Sequence, residues 1–266
     1  MGGRLAIIAC GGGLPVQIAK AHEGALIITL ADVPNNFGKK INEQRLENLG
    51  GIFADLKAAS VTRVVFAGAL CRPVLEREKF DPVMQKYAPG IISAMQLGDD
   101  TLLRQVVEIF EEQGFKVIGA HELLPGLTAQ ADLHIGPPLK GQHRADLEHA
   151  RDILMALSSL DVGQGCVVEK GQCLGVETLQ GTDFMLKAVA DTAHRPAGGG
   201  VFLKAAKRGQ DLRIDMPAIG PETIAAVAKA GLAGLVIEAG KVMILERGKT
   251  TQAVENAGIF LSARVL

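Results

Sequence analysis

Leu5-Ala6-Ile7-Ile8-Ala9-Cys10-Gly11-Gly12-Gly13-Leu14-Pro15 is the stretch on which the fold class turns. Its uninterrupted apolar run reads as a buried strand, of the kind parallel sheets use. Three glycines then free the backbone for a tight turn. Pro15 suits a first helical turn, where its missing N–H has no partner to lose. A helix over 16–22 and a strand over 25–30, closed by Asp32, complete a strand–glycine loop–helix–strand run. A doubly wound α/β sheet begins in this way.

Working outward, the alternation continues with a helix around 41–49 and a strand over 63–67 that ends at Gly68. A polar stretch carrying Arg72-Pro73 leads to a helix over 80–86. Gly98-Asp99-Asp100-Thr101 reads as a helix start, and Leu102, Leu103, Val106, Val107 and Phe110 give that helix one apolar face. A strand over 115–119 follows. Ile135-Gly136-Pro137-Pro138 interrupts regular structure and marks a boundary, giving domains 1–136 and 137–266. Beyond it the chain predicts a helix over 142–160, strands over 166–169 and 174–177, a helix over 183–192 and a strand over 201–205. A helix over 221–230, strands over 235–238 and 242–246, a short helix and a last strand complete it. The expected architecture is α/β in two domains: an N-terminal Rossmann-like parallel sheet and a C-terminal α/β domain, joined by a short linker.

Composition agrees. The 266 residues are 48% apolar, enough for one or two cores, which excludes a disordered chain. A formal charge of −1, no Trp and one Tyr argue against a nucleic-acid binder, which shows a basic excess or aromatic stacking platforms. Cys10, Cys71, Cys166 and Cys173 lack C-x-x-C spacing and read as small buried thiols of a reducing cytosol. No apolar run reaches the ~18–20 residues that span a bilayer. Cytoplasmic location is the expectation, with peripheral membrane association left open.

Two regions carry candidate chemistry. Gly11-Gly12-Gly13 feeds a helix N-terminus and can offer main-chain N–H groups to a phosphate, or can simply be a tight turn. Val16 occupies the third glycine position of the dinucleotide fingerprint, although Asp32 stands where a ribose-binding acid would. A nicotinamide-dependent oxidoreductase is one reading of that loop. In the second half, Glu177, Asp183, Asp211 and Asp215 accompany Lys204, Arg213 and Gly198-Gly199-Gly200. Mg²⁺ favours one or two carboxylates with water and substrate phosphate. Read as extended, Asp211-Leu212-Arg213-Ile214-Asp215 puts its three charged side chains on one face. That face is either a metal–phosphate centre or a solvated strand surface. Asp183 also suits a helix N-cap or first turn, as does one of Asp99 and Asp100. None of the six histidines forms a metal-binding set, and no G-x-S-x-G elbow is present.

Taken together these segments resemble the LpxI family, the UDP-2,3-diacylglucosamine pyrophosphatases of lipid A biosynthesis in Gram-negative bacteria. The resemblance runs through Gly11-Gly12-Gly13-Leu14-Pro15, Gly68-Ala69-Leu70 with Arg72-Pro73, and Gly98-Asp99-Asp100. It is more specific in Val176-Glu177 with Gly181-Thr182-Asp183, in Gly199-Gly200-Val201 with Lys204, and in Gln210-Asp211-Leu212-Arg213-Ile214-Asp215-Met216-Pro217 with Ile219-Gly220. The acid usual before Gly-Thr-Asp is here Gln180, which leaves that position out of the expected metal set.

The resemblance implies an Mg²⁺-dependent hydrolase that cleaves the pyrophosphate to UMP and 2,3-diacylglucosamine 1-phosphate (lipid X). Asp215, Lys204 and Arg213 are the expected catalytic residues, and Asp215, Asp183, Asp211 and Glu177 the expected metal ligands. Gly11, Gly12, Gly13, Leu14, Asp99, Asp100, Thr182, Gly199, Gly200 and Gln210 are the expected substrate contacts. The partners expected are an amphipathic nucleotide-sugar lipid and, transiently, the inner-membrane surface. No nucleic acid is expected, and a homo-oligomer is left open through the apolar strand around Ile259-Phe260-Leu261. A non-enzymatic lipid or nucleotide carrier is the remaining alternative.

Overall fold

The structure is a computed structural model that describes residues 3–70, 74–194 and 199–266. Cys71, Arg72, Pro73 and Gly198 lie outside the described residues. The chain forms two compact units: Met1–Pro125 with Asp211–Asp215, and Gly126–Gln210 with Met216–Leu266. The sequence places a boundary at 136/137; the units divide at Pro125/Gly126, and five later residues belong to the first unit.

The first unit runs β1 (Arg4–Ala9), α1 (Leu14–Ala21), β2 (Leu26–Thr29), α2 (Leu49–Ala58), β3 (Val61–Ala67), α3 (Pro82–Leu97), α4 (Asp99–Glu112), β4 (Lys116–Val117) and α5 (Ala120–Leu123). Its four strands are parallel, in the order β2-β1-β3-β4. Alternation decides which side chains meet which helices: Ala6, Ile8, Ile28 and Val64 pack with Ile52 and Phe53 of α2, Met84 and Ile91 of α3, and Val107 and Phe110 of α4. Phe110 meets Phe53 and Phe66 edge-on at centroid distances of 5.1 and 5.0 Å. Two expectations shift. The helix read around 41–49 begins only at Leu49, because residues 41–48 pair irregularly beside β2, with Thr29 N–H bonded to Ile41 O and Gln44 N–H to Thr29 O. The helix read over 80–86 extends to Leu97 through Pro89.

The second unit runs β5 (His134–Ile135), α6 (Gly141–Leu157), β6 (Gly165–Glu169), β7 (Gln172–Val176), α7 (Gly181–Ala190), β8 (Val201–Lys204), β9 (Ala218–Ile219), α8 (Pro221–Lys229), β10 (Gly234–Glu238), β11 (Met243–Ile244), α9 (Arg247–Ala257) and β12 (Phe260–Arg264). Its main sheet is mixed, in the order β5-β12-β10-β8-β6-β7. β8, β10 and β12 are parallel, whereas β6, β7 and β5 pair antiparallel. Lys170 and Gly171, both at positive φ, make the two-residue turn of the β6–β7 hairpin. Asp146 of α6 is buried and accepts the Lys170 and Gly171 main-chain N–H groups.

Period-2 alternation sorts this sheet's two faces. Val167, Phe202, Leu235, Ile237 and Leu261 pack with Leu186 of α7, Ile224 of α8 and Val254 of α9. Cys166, Val168, Val201, Leu203, Val236 and Phe260 pack with Leu147, Ala150 and Leu154 of α6. The near-continuous apolar strands are therefore buried on both sides, as their sequences predict. A two-stranded pairing of β9 with β11 is an addition that the sequence did not announce.

Candidate active site

In the first unit, β1 lies between β2 and β3, so the loop after β1 opens at the point where the strand order reverses. Open α/β sheets bind ligands there. Gly11 is occupied within the protein: its N–H donates to Ala69 O at 2.8 Å and its carbonyl accepts from Ala69 N–H at 3.0 Å. Gly68, at φ +96°, makes this approach possible, since a Cβ there would stand 2.2 Å from Gly11 O. Gly12 and Gly13 are exposed, with open space where a Cβ would project, and Leu14 is buried. Gly12 and Gly13 are thus the part of this loop that faces outward. Asp32 pairs with Arg45 at 3.3 Å. Asp99 and Asp100 sit in the first turn of α4, where Asp100 pairs with Arg104 at 2.6 Å.

The segment Asp211–Asp215 folds as a turn and belongs to this first unit, rather than forming the extended strand expected of it. The Asp211 side chain accounts for the difference. Its Oδ1 accepts the Arg213 main-chain N–H at 3.0 Å, and its carbonyl accepts the Ile214 and Asp215 N–H groups at 3.3 and 3.1 Å. A short acidic side chain that takes a nearby N–H competes with sheet pairing. Ile214 then packs against the first unit's core. Arg213 grips Asp211 through Nε at 3.0 Å and Nη2 at 2.7 Å, and reaches Glu111 of α4 through Nη1 at 2.7 Å. The Arg213 hydrogen bonds hold the Asp211 carboxyl below the usual carboxylate range, and the bonds to Asp211 and then Glu111 push the guanidinium further up. Asp215 is half-buried at the end of the turn. Glu111 was not singled out from the sequence, where it is one of several glutamates on an amphipathic helix.

In the second unit the functional side chains converge at one end of the sheet. β7 and β8 both run antiparallel to β6, so Glu177, just after β7, and Lys204, closing β8, emerge at the same end. Lys204 Nζ donates to Glu177 Oε2 at 3.0 Å and Oε1 at 3.3 Å, and to Thr182 Oγ1 at 2.5 Å. Lys204 and Glu177 are 5% and 12% exposed as side chains, so the ion pair is largely desolvated. Gly165 of β6 lies between them, and a Cβ there would come within 2.6 Å of Glu177 Oε2. This glycine was missed; its signal was Gly163-Gln164-Gly165 opening the strand Cys166-Val167-Val168-Glu169. Asp183 is an exposed residue in the first turn of α7. Gln180 is exposed just before α7 and accepts from the Thr178 hydroxyl. Gly199 and Gly200 precede β8 and lie at its opposite end from Lys204, roughly 13 Å away at ~3.3 Å per residue. Added Cβ atoms there would meet Ala233 N at 2.9 Å and Val168 O at 2.5 Å, so close packing accounts for both glycines. Gln210 accepts Lys207 N–H at 2.9 Å and closes the 207–210 turn.

The expected four-carboxylate magnesium centre is corrected by this arrangement. Glu177 is engaged by Lys204 and Asp211 by Arg213, and Asp183 is exposed. Among the described residues, no three His, Cys, Asp or Glu side chains gather as a metal site. The expected set of four carboxylates is therefore not assembled among the described residues.

Comparison with known proteins covers both halves. The family model of the LpxI N-terminal domain matches residues 4–127, and that of the LpxI C-terminal domain matches residues 133–262. The chain is 36% identical, over 97% of its own length and 96% of the relative's, to the UDP-2,3-diacylglucosamine pyrophosphatase LpxI of Caulobacter vibrioides. The oxidoreductase and carrier alternatives are overturned: the dinucleotide reading rested on a loop whose first glycine is occupied and on an Asp32 held by Arg45, and the relative is named as a pyrophosphatase. With both of its domains matched in order and one relative aligned nearly end to end, the chain belongs to the LpxI family.

Proposed function

We propose that this protein hydrolyses the pyrophosphate bond of UDP-2,3-diacylglucosamine to UMP and 2,3-diacylglucosamine 1-phosphate. The observation that carries this reading is the end-to-end 36% identity to a protein named for that activity. In the reaction water's oxygen bonds to one phosphorus, the bridging P–O bond breaks, and the bridging oxygen leaves on the other phosphate. Water's protons pass to the products and to solvent.

Side chains within each unit suit this chemistry. A pyrophosphate resists attack because its oxygens are negative, and a buried ammonium at the end of a sheet offsets charge that develops on phosphoryl oxygen. Lys204 supplies that ammonium. Asp215 is the carboxylate we assign to the reacting water, and Arg213, fixed by Asp211 and Glu111, the second cation. Gly12 and Gly13, with the first turn of α1, suit the nucleotide's phosphate. Leu179 and Phe184, 84% and 59% exposed on either side of Thr182, present apolar surface that suits the lipid part of the substrate. Among the described residues no helix is long and apolar enough to cross a membrane. The lipid part of the proposed substrate supports transient contact with the inner-membrane surface.

UMP release from UDP-2,3-diacylglucosamine tests the proposal, measured for wild type and Asp215→Ala in buffer supplied with Mg²⁺ so that ion supply cannot limit the result. Wild type is expected to release UMP and lipid 1-phosphate in equal amounts, and Asp215→Ala to be slower by about a hundredfold or more. A folded wild-type protein that releases no UMP overturns the function. Near-normal turnover in the variant removes Asp215 from it.

A further inference from the structure

We infer that Thr182 donates its hydroxyl hydrogen to a phosphoryl oxygen of the substrate, and that Glu177 is a positioning residue that fixes this donor through Lys204. The inference rests on the pyrophosphatase reading and deepens it at one site.

The argument starts from what an ammonium can do. Lys204 Nζ has three hydrogens and no acceptor, so every hydrogen bond it makes is a donation. Its partners are the two oxygens of Glu177 and Thr182 Oγ1. At 2.5 Å from Nζ, the Thr182 oxygen is therefore an acceptor, and its own hydrogen points away from Lys204. Among the described residues no acceptor takes that hydrogen. A threonine hydroxyl rotates freely when alone; this one has its polarity set by a neighbour that only donates. It is left as a donor, which suits a group made only of acceptors, such as a phosphoryl oxygen.

Glu177 makes the arrangement possible. A lysine that is 4% exposed needs a charge partner, and Glu177 supplies one beside Gly165, where a Cβ would crowd its carboxylate. The carboxylate expected among the metal ligands is thereby committed to Lys204. Thr182 stands in the first turn of the ten-residue α7, whose N-terminal end also favours an anion. The neutral Lys204–Glu177 pair thus holds Thr182 so that an oxyanion is offered a directed hydroxyl at the N-terminal end of α7.

Steady-state UMP release from UDP-2,3-diacylglucosamine by wild type, Thr182→Val, Thr182→Ser, Glu177→Gln and the Thr182→Val/Glu177→Gln double variant tests the inference. Thr182→Val keeps the shape of the side chain and is expected to lower kcat/KM by about tenfold to a hundredfold, the usual range for a lost hydrogen bond to a charged group. Thr182→Ser is expected to restore most of that loss, since it returns the hydroxyl. Glu177→Gln is expected to lower kcat/KM in the wild-type background and to have much less effect once Thr182 is Val, because both act through one donor. Thr182→Val with wild-type kcat/KM overturns the donor role, as does a Thr182→Ser as impaired as Thr182→Val. Additive effects in the double variant overturn the positioning role of Glu177. No UMP from wild type overturns the pyrophosphatase reading itself and this role with it, an outcome distinct from turnover that is insensitive to Thr182.

Discussion

At the scale of single residues, glycines explain more of this protein than charges do. Gly68 and Gly165 both hold places that a Cβ cannot share, the first against the carbonyl of Gly11 and the second against the carboxylate of Glu177. They differ in consequence. Gly68 combines φ +96° with a backbone oxygen 2.2 Å from the virtual Cβ, so Gly68→Ala strains the turn and separates two loops. We expect a loss of about 2 kcal/mol or more in urea unfolding. Gly165→Ala meets a side-chain oxygen and the Phe202 ring, at 2.6 and 2.9 Å. Its expected loss is smaller, about 1–3 kcal/mol, but turnover should fall with it as Glu177 is pushed off Lys204. Unchanged stability in Gly68→Ala, or unchanged turnover in Gly165→Ala, would contradict these assignments. Cys10 is the inert extreme: burial pushes its thiol up to about 11, so it carries no thiolate chemistry near neutral pH.

At the scale of elements, the Asp211–Asp215 turn is the feature that departs most from its sequence pattern. Alternating charged and apolar residues read as a strand face, yet the segment leaves the second unit and docks on the first through Ile214 and the Arg213–Glu111 pair. Arg213 holds the Asp211 carboxyl below its unfolded value, so the sign of its pH effect is fixed. A carboxylate with a lowered folded pKa stabilises above its unfolded value, near pH ~3.9, and that contribution is lost as pH falls through the folded value. Thermal unfolding of wild type and Asp211→Asn from about pH 6 to pH 3 should therefore show a gap in Tm that closes on acidification. A gap of constant width would mean that the ion pair does not anchor the turn. The β6–β7 hairpin shows the opposite behaviour, since Lys170-Gly171 gives its turn away locally and Asp146 only fastens it.

At the scale of the molecule, two units carry separate cores, one centred on Phe110 and its aromatic neighbours and the other on Phe202 and the strands beside it. Chains built this way commonly unfold in more than one step. Calorimetry should resolve two transitions. Phe110→Ala should lower one and Phe202→Ala the other, each by the ~3–5 kcal/mol typical of a phenylalanine deleted from a core. A single transition lowered equally by both substitutions would show that the units unfold as one. The chain crosses between units at Pro125/Gly126, Gln210/Asp211 and Asp215/Met216, so the residues resembling the family's most specific motif are shared between both.

The alternation of buried strands with helices was legible because apolar periodicity is a local property. Leu5 to Cys10, Cys166 to Glu169 and Val201 to Lys204 fell where their sequences put them, and the α/β class in two parts follows from that. The family was legible too, since its motifs are strings of residues. What the sequence left open was which charges meet. Glu177 and Lys204 are 27 positions apart and Glu111 and Arg213 102 apart, and nothing local tells a metal-ligating carboxylate from one neutralised by a distant cation. Tertiary structure decided that question, because a charge pairs with whichever partner the folded chain brings within hydrogen-bonding reach.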